Sequence, residues 1–385
     1  MSDPEVKANL IANNKTINWI PETIGTGRFG AWLENVQDWG ISRNRYWGTP
    51  LNIWVCDDCG EMLSIGSKAE LKEHSDNCPD DIELHRPYID AVTCTCPKCK
   101  GKMKRVPEVI DCWFDSGSMP FAQHHYPFEN HDLFKQQFPA QFISEAVDQT
   151  RGWFYSLLAI STLLFNRAPY ENVLVLGHVQ DENGQKMSKS KGNAVDPFDA
   201  LNAYGADAVR WYFYTNSAPW LPNRFHGKAV IEGQRKFMGT LWNIYAFFVL
   251  YANIDEFDAT KHELRKAEEL PTMDRWLLSR LNTLITTVDN YLADYCIPEA
   301  ARALQNFVDE MSNWYVCRER FWAQGMSQDK IDAYMTLYTA LVTVSKLAAP
   351  MIPFMTEDIY RNLVCSIDKS APESVHLCDY PVADA

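Results

Sequence analysis

The apolar residues of this 385-residue chain change their spacing several times, and the changes divide it. Residues 1–55 mix charge with short apolar segments and close on an extended run, Leu51-Asn52-Ile53-Trp54-Val55. Residues 56–105 are rich in Cys, Lys, Glu and Asp and hold no long apolar stretch. From residue 108 the chain turns apolar again, and 139–215 alternates two periods. Gln141-Phe142-Ile143-Ser144 reads as a short strand and Trp153 to Leu164 as a continuously apolar helix. Val173 to Leu176 reads as a buried strand and Gly205 to Tyr214 as a further helix. Asp196-Pro197 has the form of a helix N-cap followed by proline in the first turn. Strand–helix–strand–helix order predicts a parallel sheet that binds ligands beyond the carboxyl ends of its strands.

Pro219, Pro222 and Asn223 interrupt this pattern, and a long helix is expected over 229–253. The charged stretch 254–270 reads as a connector. Helical periodicity then dominates. Leu277, Leu281, Leu284, Ile285, Val288 and Leu292 share one face. Leu304, Phe307, Val308, Met311, Trp314 and Tyr315 share the next, and Ile331, Tyr334, Met335, Tyr338, Leu341 and Val342 a third. These stripes are the core of a helical bundle.

Composition adds boundaries. The chain is 46% hydrophobic and 13% aromatic, as a globular protein is, and long enough for two or three domains. A formal charge of −14 excludes a protein that coats nucleic acid without specificity and leaves room for local basic patches. No apolar run reaches the ~20 residues of a membrane span, and the acidic start, Met1 to Leu10, lacks a signal-peptide layout. Eleven cysteines, several in Cys-x-x-Cys pairs, point to reduced thiols and a metal site in the cytoplasm. The expectation is a monomer without a membrane partner.

Cys56-Asp57-Asp58-Cys59 and Cys96-Pro97-Lys98-Cys99 offer four soft ligands to a tetrahedral zinc ion. Gly60 and Gly101 follow the two pairs, where knuckle turns need permissive backbone. Cys94 leaves the second pair's exact ligand open, and Cys78 with His74 is a weaker rival half-site. Four thiolates leave no open position, so this zinc is structural.

Two further segments carry chemistry. Ser144-Glu145-Ala146-Val147-Asp148-Gln149-Thr150 joins a strand end to a helix start, where carboxylates can accept hydrogen bonds from an amino group or ribose hydroxyls. Plain helix capping by Asp148 is the alternative. Lys186-Met187-Ser188-Lys189-Ser190, continued by Lys191-Gly192-Asn193, puts three lysines and two serines in six positions. Such a loop can close over a polyphosphate and neutralise charge that develops in a transition state.

That lysine string resembles the second motif of the class I aminoacyl-tRNA synthetases. With Ile41-Ser42-Arg43-Asn44-Arg45-Tyr46-Trp47-Gly48-Thr49-Pro50, Cys112-Trp113-Phe114-Asp115-Ser116-Gly117-Ser118 and Asp148-Gln149-Thr150-Arg151-Gly152-Trp153-Phe154, it resembles the isoleucyl-tRNA synthetase family. Leu84-His85-Arg86-Pro87-Tyr88-Ile89-Asp90, Met119-Pro120-Phe121-Ala122 and Ser312-Asn313-Trp314-Tyr315 fit the same family, and the resemblance covers nearly the whole chain. It implies that Glu145, Asp148 and Gln149 contact the aminoacyl-adenylate. It implies that Lys186 and Lys189 are catalytic, Lys189 contacting ATP phosphates. Its implied partners are ATP with Mg2+, isoleucine and an isoleucine tRNA. On and beyond the second bundle helix, Arg318 and Arg320 can pair tRNA phosphates, and Trp314, Tyr315 and Trp322 can stack unpaired bases; core tryptophans and solvated arginines are the alternative. Ala146 stands where the family usually has glycine.

The family's first motif, His-x-Gly-His, matches none of the nine histidines, and no segment answers to its large editing domain. The expectation is therefore a C-terminal part of such an enzyme. Its fold is α/β plus all-α: a partial Rossmann-like parallel sheet with a zinc-binding insert, followed by an α-helical bundle. Residues 1–55 enter the catalytic core, 56–107 form the zinc module, and 108–215 complete the half-sheet with the lysine loop. Residues 216–270 connect, and 271–385 bind the anticodon. The rival readings are a non-catalytic RNA-binding protein built from synthetase parts, and a valyl or leucyl relative.

Overall fold

The computed structural model describes every residue except Asp76, Lys189, Ser190, Arg318, Trp322 and Ala385, with the Glu319 side chain also undescribed. The chain forms two compact units, Met1–Val175 and Leu176–Ala385.

In the first unit the strands are β1 (Asn18–Ile20), β2 (Ser42–Arg43), β3 (Ile53–Cys56), β4 (Met62–Ser64), β5 (Thr93–Thr95), β6 (Lys102–Arg105), β7 (Val109–Ile110), β8 (Ala140–Ala146) and β9 (Tyr170–Leu176). β1, β9 and β8 make a sheet in that order. β1 runs parallel to β9, with Trp19 opposite Val173. Asn172 Nδ2 donates to the Gln141 carbonyl and Ser144 Oγ to that of Leu174, so β8 advances in the same direction. The helix Trp153–Phe165 makes the crossover between β8 and β9, the unit that parallel strands require. Its residues from Phe154 to Thr162 are all buried, as its unbroken apolar run predicts. It stops at Asn166, whose left-handed backbone returns its N–H to the Thr162 carbonyl. Trp19, Phe29, Phe154, Leu158, Tyr170 and Val173 form the core between sheet and helices.

β4, β3, β6 and β5 form a separate antiparallel sheet in that order. Its core is small: Trp54, Ile65, Leu71, Ile82, Ile89, Val92 and Met103, with Cys56, Cys94 and Cys96. A core this size needs help from a metal.

In the second unit, β10 (Val179–Gln180) pairs in parallel with β11 (Asn223–Arg224). The expected caps hold: Asp196 accepts from the Phe198 and Asp199 N–H groups at the start of Pro197–Tyr204. Gly205, at φ +83°, turns the chain into Ala206–Thr215. The long helix runs from Gly227 to Ile254, with a π-helical stretch at Gln234–Gly239. By length and composition alone it could cross a membrane. Phe237, Leu241, Ile244 and Phe248 are buried in the bundle core instead.

The bundle follows as Thr272–Ala293, Ile297–Glu310 and Gln328–Ala348. The first stripe is buried as expected from Leu277 to Val288. The second departs at its end. A π turn over Met311–Val316 shifts the helical phase, so Met311 and Tyr315 go inward while Trp314 is 59% exposed. The third helix is central and buried well beyond one stripe, from Asp332 and Ala333 through Leu337, Leu341 and Leu347. A further helix, Pro353–Tyr360, follows the corner at Pro350.

Candidate functional site

Four thiols meet at the end of the antiparallel sheet. Cys56 closes β3 and Cys59 follows in a turn where the Gly60 N–H donates to the Cys56 carbonyl. The second pair repeats this, with the Lys100 N–H donating to the Cys96 carbonyl. Cys56 Sγ lies 3.5 Å from Cys99 Sγ and Cys59 Sγ 3.7 Å from Cys96 Sγ. All four ligand atoms fall within 4.8 Å of one another. Gly60, at φ +72°, takes the left-handed backbone that its knuckle turn requires, whereas a Cβ on Gly101 would meet the exposed Asp58 carboxylate and Cys99 Sγ at 3.1 Å, contacts that a shift of Asp58 eases. Cys94, on β5 two residues before Cys96, is buried in the small core and is not one of the four, nor are Cys78 and His74.

The thiols contend for protons. The Cys99 N–H holds the Cys96 thiol down to about 7. The Gly101 N–H favours the Cys99 thiolate, but the Cys59 and Cys56 thiols outweigh it and push Cys99 up to about 12. Four thiolates at this spacing require a cation, and four soft donors in a compact cluster suit tetrahedral zinc.

At the carboxyl end of β8 the chain makes a 3-10 turn, Val147–Arg151, and enters the helix at Gly152. Glu145 and Asp148 are exposed there and Gln149 is half-buried. The cap is Gln149, not Asp148: its Oε1 accepts from the Trp153 N–H at 2.9 Å. Its Nε2 donates to Asp148 Oδ2 at 3.3 Å. A Cβ on Gly152 would lie 2.6 Å from Gln149 Oε1 and 3.0 Å from the Trp113 ring. Glycine therefore lets the turn close. Two carboxylates and an amide stand where a parallel sheet binds ligand.

Two motifs that resemble the family meet beside this turn. Arg43 pairs with Asp111, which is 4% exposed, and Trp39 Nε1 donates to the same carboxylate oxygen at 3.0 Å. Asp111 also caps the helix Cys112–Gly117 through the Trp113 N–H. Thr49 Oγ1 donates to Asp115 at 3.0 Å and Trp153 Nε1 to the Ser116 carbonyl at 3.2 Å. Asp111 did not stand out in the sequence, and Arg43 did so only as part of the Ile41–Pro50 motif, because their pairing spans 68 positions.

In the second unit the lysine loop leaves a small hairpin that a Gln180–Lys186 bridge closes. Lys186 is exposed at its end. Lys189 lies outside the described residues. The Asp181 carboxylate accepts from the Asn183 and Gln185 N–H groups at 3.0 and 2.8 Å and from Asn193 Nδ2 at 2.8 Å. These bonds, that of Asn193 foremost, hold its carboxyl below the usual range.

In the bundle Arg318 and Trp322 also lie outside the described residues. Arg320 is committed within the protein: its guanidinium bonds Asp274 at 2.6 and 2.8 Å and Asp329 Oδ2 at 2.8 Å. Tyr315 is 1% exposed and donates to Asp274 as well. Trp314 remains on the surface.

A family model described as tRNA synthetases class I (I, L, M and V) matches residues 1–221. A second, described as anticodon-binding domain of tRNA ligase, matches 274–385. The chain is 63% identical over 381 residues to isoleucine–tRNA ligase of Clostridium novyi, covering 98% of this chain and 36% of that protein. It is 60% identical over 381 residues to the same-named protein of Clostridium tetani, with the same shares covered. It thus spans about a third of these relatives' length. Among solved structures it resembles LeuRS of Agrobacterium radiobacter K84, from a ternary complex with tRNA and LeuAMS. The TM-score is 0.68 at 19% identity, over 91% of this chain and 42% of that one. Mycobacterium tuberculosis methionyl-tRNA synthetase in complex with methionyl-adenylate gives 0.65 at 16% identity, over 97% and 66%. These two show a shared fold.

Proposed function

This chain belongs to the class I tRNA synthetases (I, L, M and V), and on that premise we propose that it is part of an isoleucine–tRNA ligase of the cytoplasm. The observation that carries the proposal is the identity, along almost all of this chain, with proteins of that name. In the first step a carboxylate oxygen of isoleucine attacks the α-phosphorus of ATP. The bond to the β-phosphate bridge breaks and pyrophosphate leaves, its charge shared with Mg2+. In the second step a terminal hydroxyl of the tRNA takes the acyl group and AMP leaves.

Within that chemistry the exposed carboxylates Glu145 and Asp148 accept hydrogen bonds from the adenylate's amino and ribose hydroxyl groups. Gln149, held by the Trp153 N–H, offers its amide at the same turn. Lys186 and Lys189 supply positive charge to the leaving pyrophosphate, which is stabilisation of the transition state by placement. Cys56, Cys59, Cys96 and Cys99 would hold a zinc ion that supplies only structure, since no coordination position is left for substrate. The helices from Thr272 onward would meet the anticodon arm of an isoleucine tRNA, with Arg318 and the exposed Trp314 as contacts.

The test is amino-acid-dependent exchange of pyrophosphate into ATP by the full-length protein that carries this segment. Isoleucine should be the preferred amino acid, and Lys186→Ala should lower the exchange rate far more than it raises the KM for isoleucine. Preference for valine or leucine would overturn the assignment.

A further inference from the structure

The lysine loop is stitched shut by one side chain that faces three partners. Asn193 Oδ1 accepts the Ser188 N–H at 3.0 Å. Its Nδ2 donates to Asp181 Oδ2 at 2.8 Å and to the Lys186 carbonyl at 3.3 Å. Asp181 in turn gathers the Asn183 and Gln185 N–H groups, and its own N–H donates to the Gln185 carbonyl at 2.9 Å. Two residues twelve positions apart therefore tie the entry of the loop to its exit. The stitch bonds the backbone of Lys186 and of Ser188, and the exposed Lys186 side chain takes no part in it; the Ser188 hydroxyl accepts the Lys191 N–H at 3.3 Å within the loop. Gly184, at φ +78°, completes the hairpin, and a Cβ there would meet the Arg224 guanidinium at 3.0 Å.

We infer that Asp181 and Asn193 form a latch that positions the lysine loop, setting the direction in which Lys186 presents itself to nucleotide phosphates. The part concerning phosphates rests on the function proposed above; the latch itself rests on the hydrogen bonds alone. The physical argument is one of loop entropy. A loop free at both ends must be ordered anew for each turnover, and that cost weakens transition-state contacts. A carboxylate–amide bond across the neck removes most of it in advance. An asparagine is suited to the exit position because a single amide both accepts from one strand of the neck and donates to the other.

Two measurements test the latch. The first is the rate of tryptic cleavage after Lys186 and Lys191 in the 385-residue chain, followed by mass spectrometry under native conditions. Asn193→Ala should speed it roughly tenfold, because cleavage tracks the population of the opened loop. Asn193→Asp, which sets a second carboxylate against Asp181, should do at least as much. The exchanged pair, Asp181→Asn with Asn193→Asp, rebuilds an amide–carboxylate bond with the partners reversed and should return the rate most of the way. Wild-type cleavage rates in both single variants, or no recovery in the exchanged pair while cleavage elsewhere is unchanged, would overturn the latch. The second measurement is pyrophosphate exchange in the full-length protein. Asn193→Ala should lower kcat and raise the KM for ATP, leaving the KM for isoleucine in place. Unchanged exchange kinetics would overturn the positioning role. A wild-type protein with no isoleucine-dependent exchange would instead refute the proposed function, and the cleavage rates would still decide the latch.

Discussion

Arg320 clasps Asp274 through two hydrogen bonds across 46 positions, and the carboxylate it holds is completely buried. Tyr315 Oη adds a third bond to that carboxylate at 2.5 Å, and Arg320 reaches on to Asp329. One guanidinium thereby joins the first turns of Thr272–Ala293 and Gln328–Ala348, where carboxylates also favour the helix dipoles. Arg320→Ala would leave the buried Asp274 carboxyl without its guanidinium partner. The expected loss of stability is about 3 kcal/mol or more, read from urea unfolding of the chain. Lysine, with no planar fork, should recover only part of it. An unchanged urea midpoint would mean that this ion pair does not hold the two helix starts together.

The four-thiol cluster predicts one zinc per chain. Cys96→Ser should abolish zinc retention and Cys94→Ser should leave it intact, by metal analysis of protein purified without chelator. Zinc retained by Cys96→Ser and lost by Cys94→Ser would move the ligand by two residues. Chelation should also unfold β3 to β6 selectively, since among the described residues only seven apolar side chains and three cysteines are buried in this sheet's core. Hydrogen exchange over 53–105 reports that directly.

What the sequence made legible follows from the range of each interaction. β8, the helix Trp153–Phe165 and β9 were readable because unbroken apolar runs signal burial locally. The Cys-x-x-Cys pairs were readable because ligand geometry dictates spacing within a turn. β1 was not, since three residues carry no period, and its partner lies 154 positions away. Trp314 was assigned to the core by helical counting, and the π turn at Met311–Val316 broke the count. Arg320 looked like an RNA contact because its acid partner sits 46 positions upstream. Asp181 and Asn193 are polar residues in an aperiodic loop, where only coordinates reveal who meets whom.

The connector 254–270 is anchored by charge, and this predicts a pH dependence. Arg265 Nε donates to Asp332 Oδ1 at 2.8 Å, and Gln328 Nε2 donates to the same oxygen at 3.0 Å. Burial alone would raise the Asp332 carboxyl, but the Arg265 guanidinium prevails and holds it below the ordinary value. A carboxyl with a lowered folded value stabilises the protein above its unfolded value of about 4, and that contribution is lost as pH falls through the folded one. Arg265→Ala should therefore lower the urea midpoint at pH 7, modestly because Arg265 is itself exposed to solvent. The gap between wild type and variant should narrow steadily below pH ~4. A gap that stays constant into acid would mean that packing, not the ion pair, accounts for the loss.

Asp207 caps a helix that is not its own. It is 6% exposed, and its carboxylate accepts the Met355 N–H at 2.7 Å and the Phe354 N–H at 3.3 Å, at the start of Pro353–Tyr360. One turn on, Arg210 donates to the Pro350 and Met351 carbonyls at 2.7 and 3.1 Å. A single face of Ala206–Thr215 thus satisfies both the donors that open one helix and carbonyls at the corner before it. This joins the helix pair that follows the lysine loop to the bundle within one rigid corner. Asp207→Ala should cost about 2 kcal/mol, at the upper end for a lost cap because the freed N–H groups are buried, and Asp207→Asn less, since one amide oxygen still accepts. Burial raises the Asp207 carboxyl, so the folded chain binds this proton more tightly than the unfolded one does. The sign is then opposite to that of Asp332: this group's contribution is greatest in acid and diminishes as pH rises through its folded value. Urea unfolding of Asp207→Asn against wild type from pH 4 to 7 separates the two effects. The variant's deficit should be largest at the acid end, and a deficit that grows toward neutral pH would mean that the ionised carboxylate is the better cap.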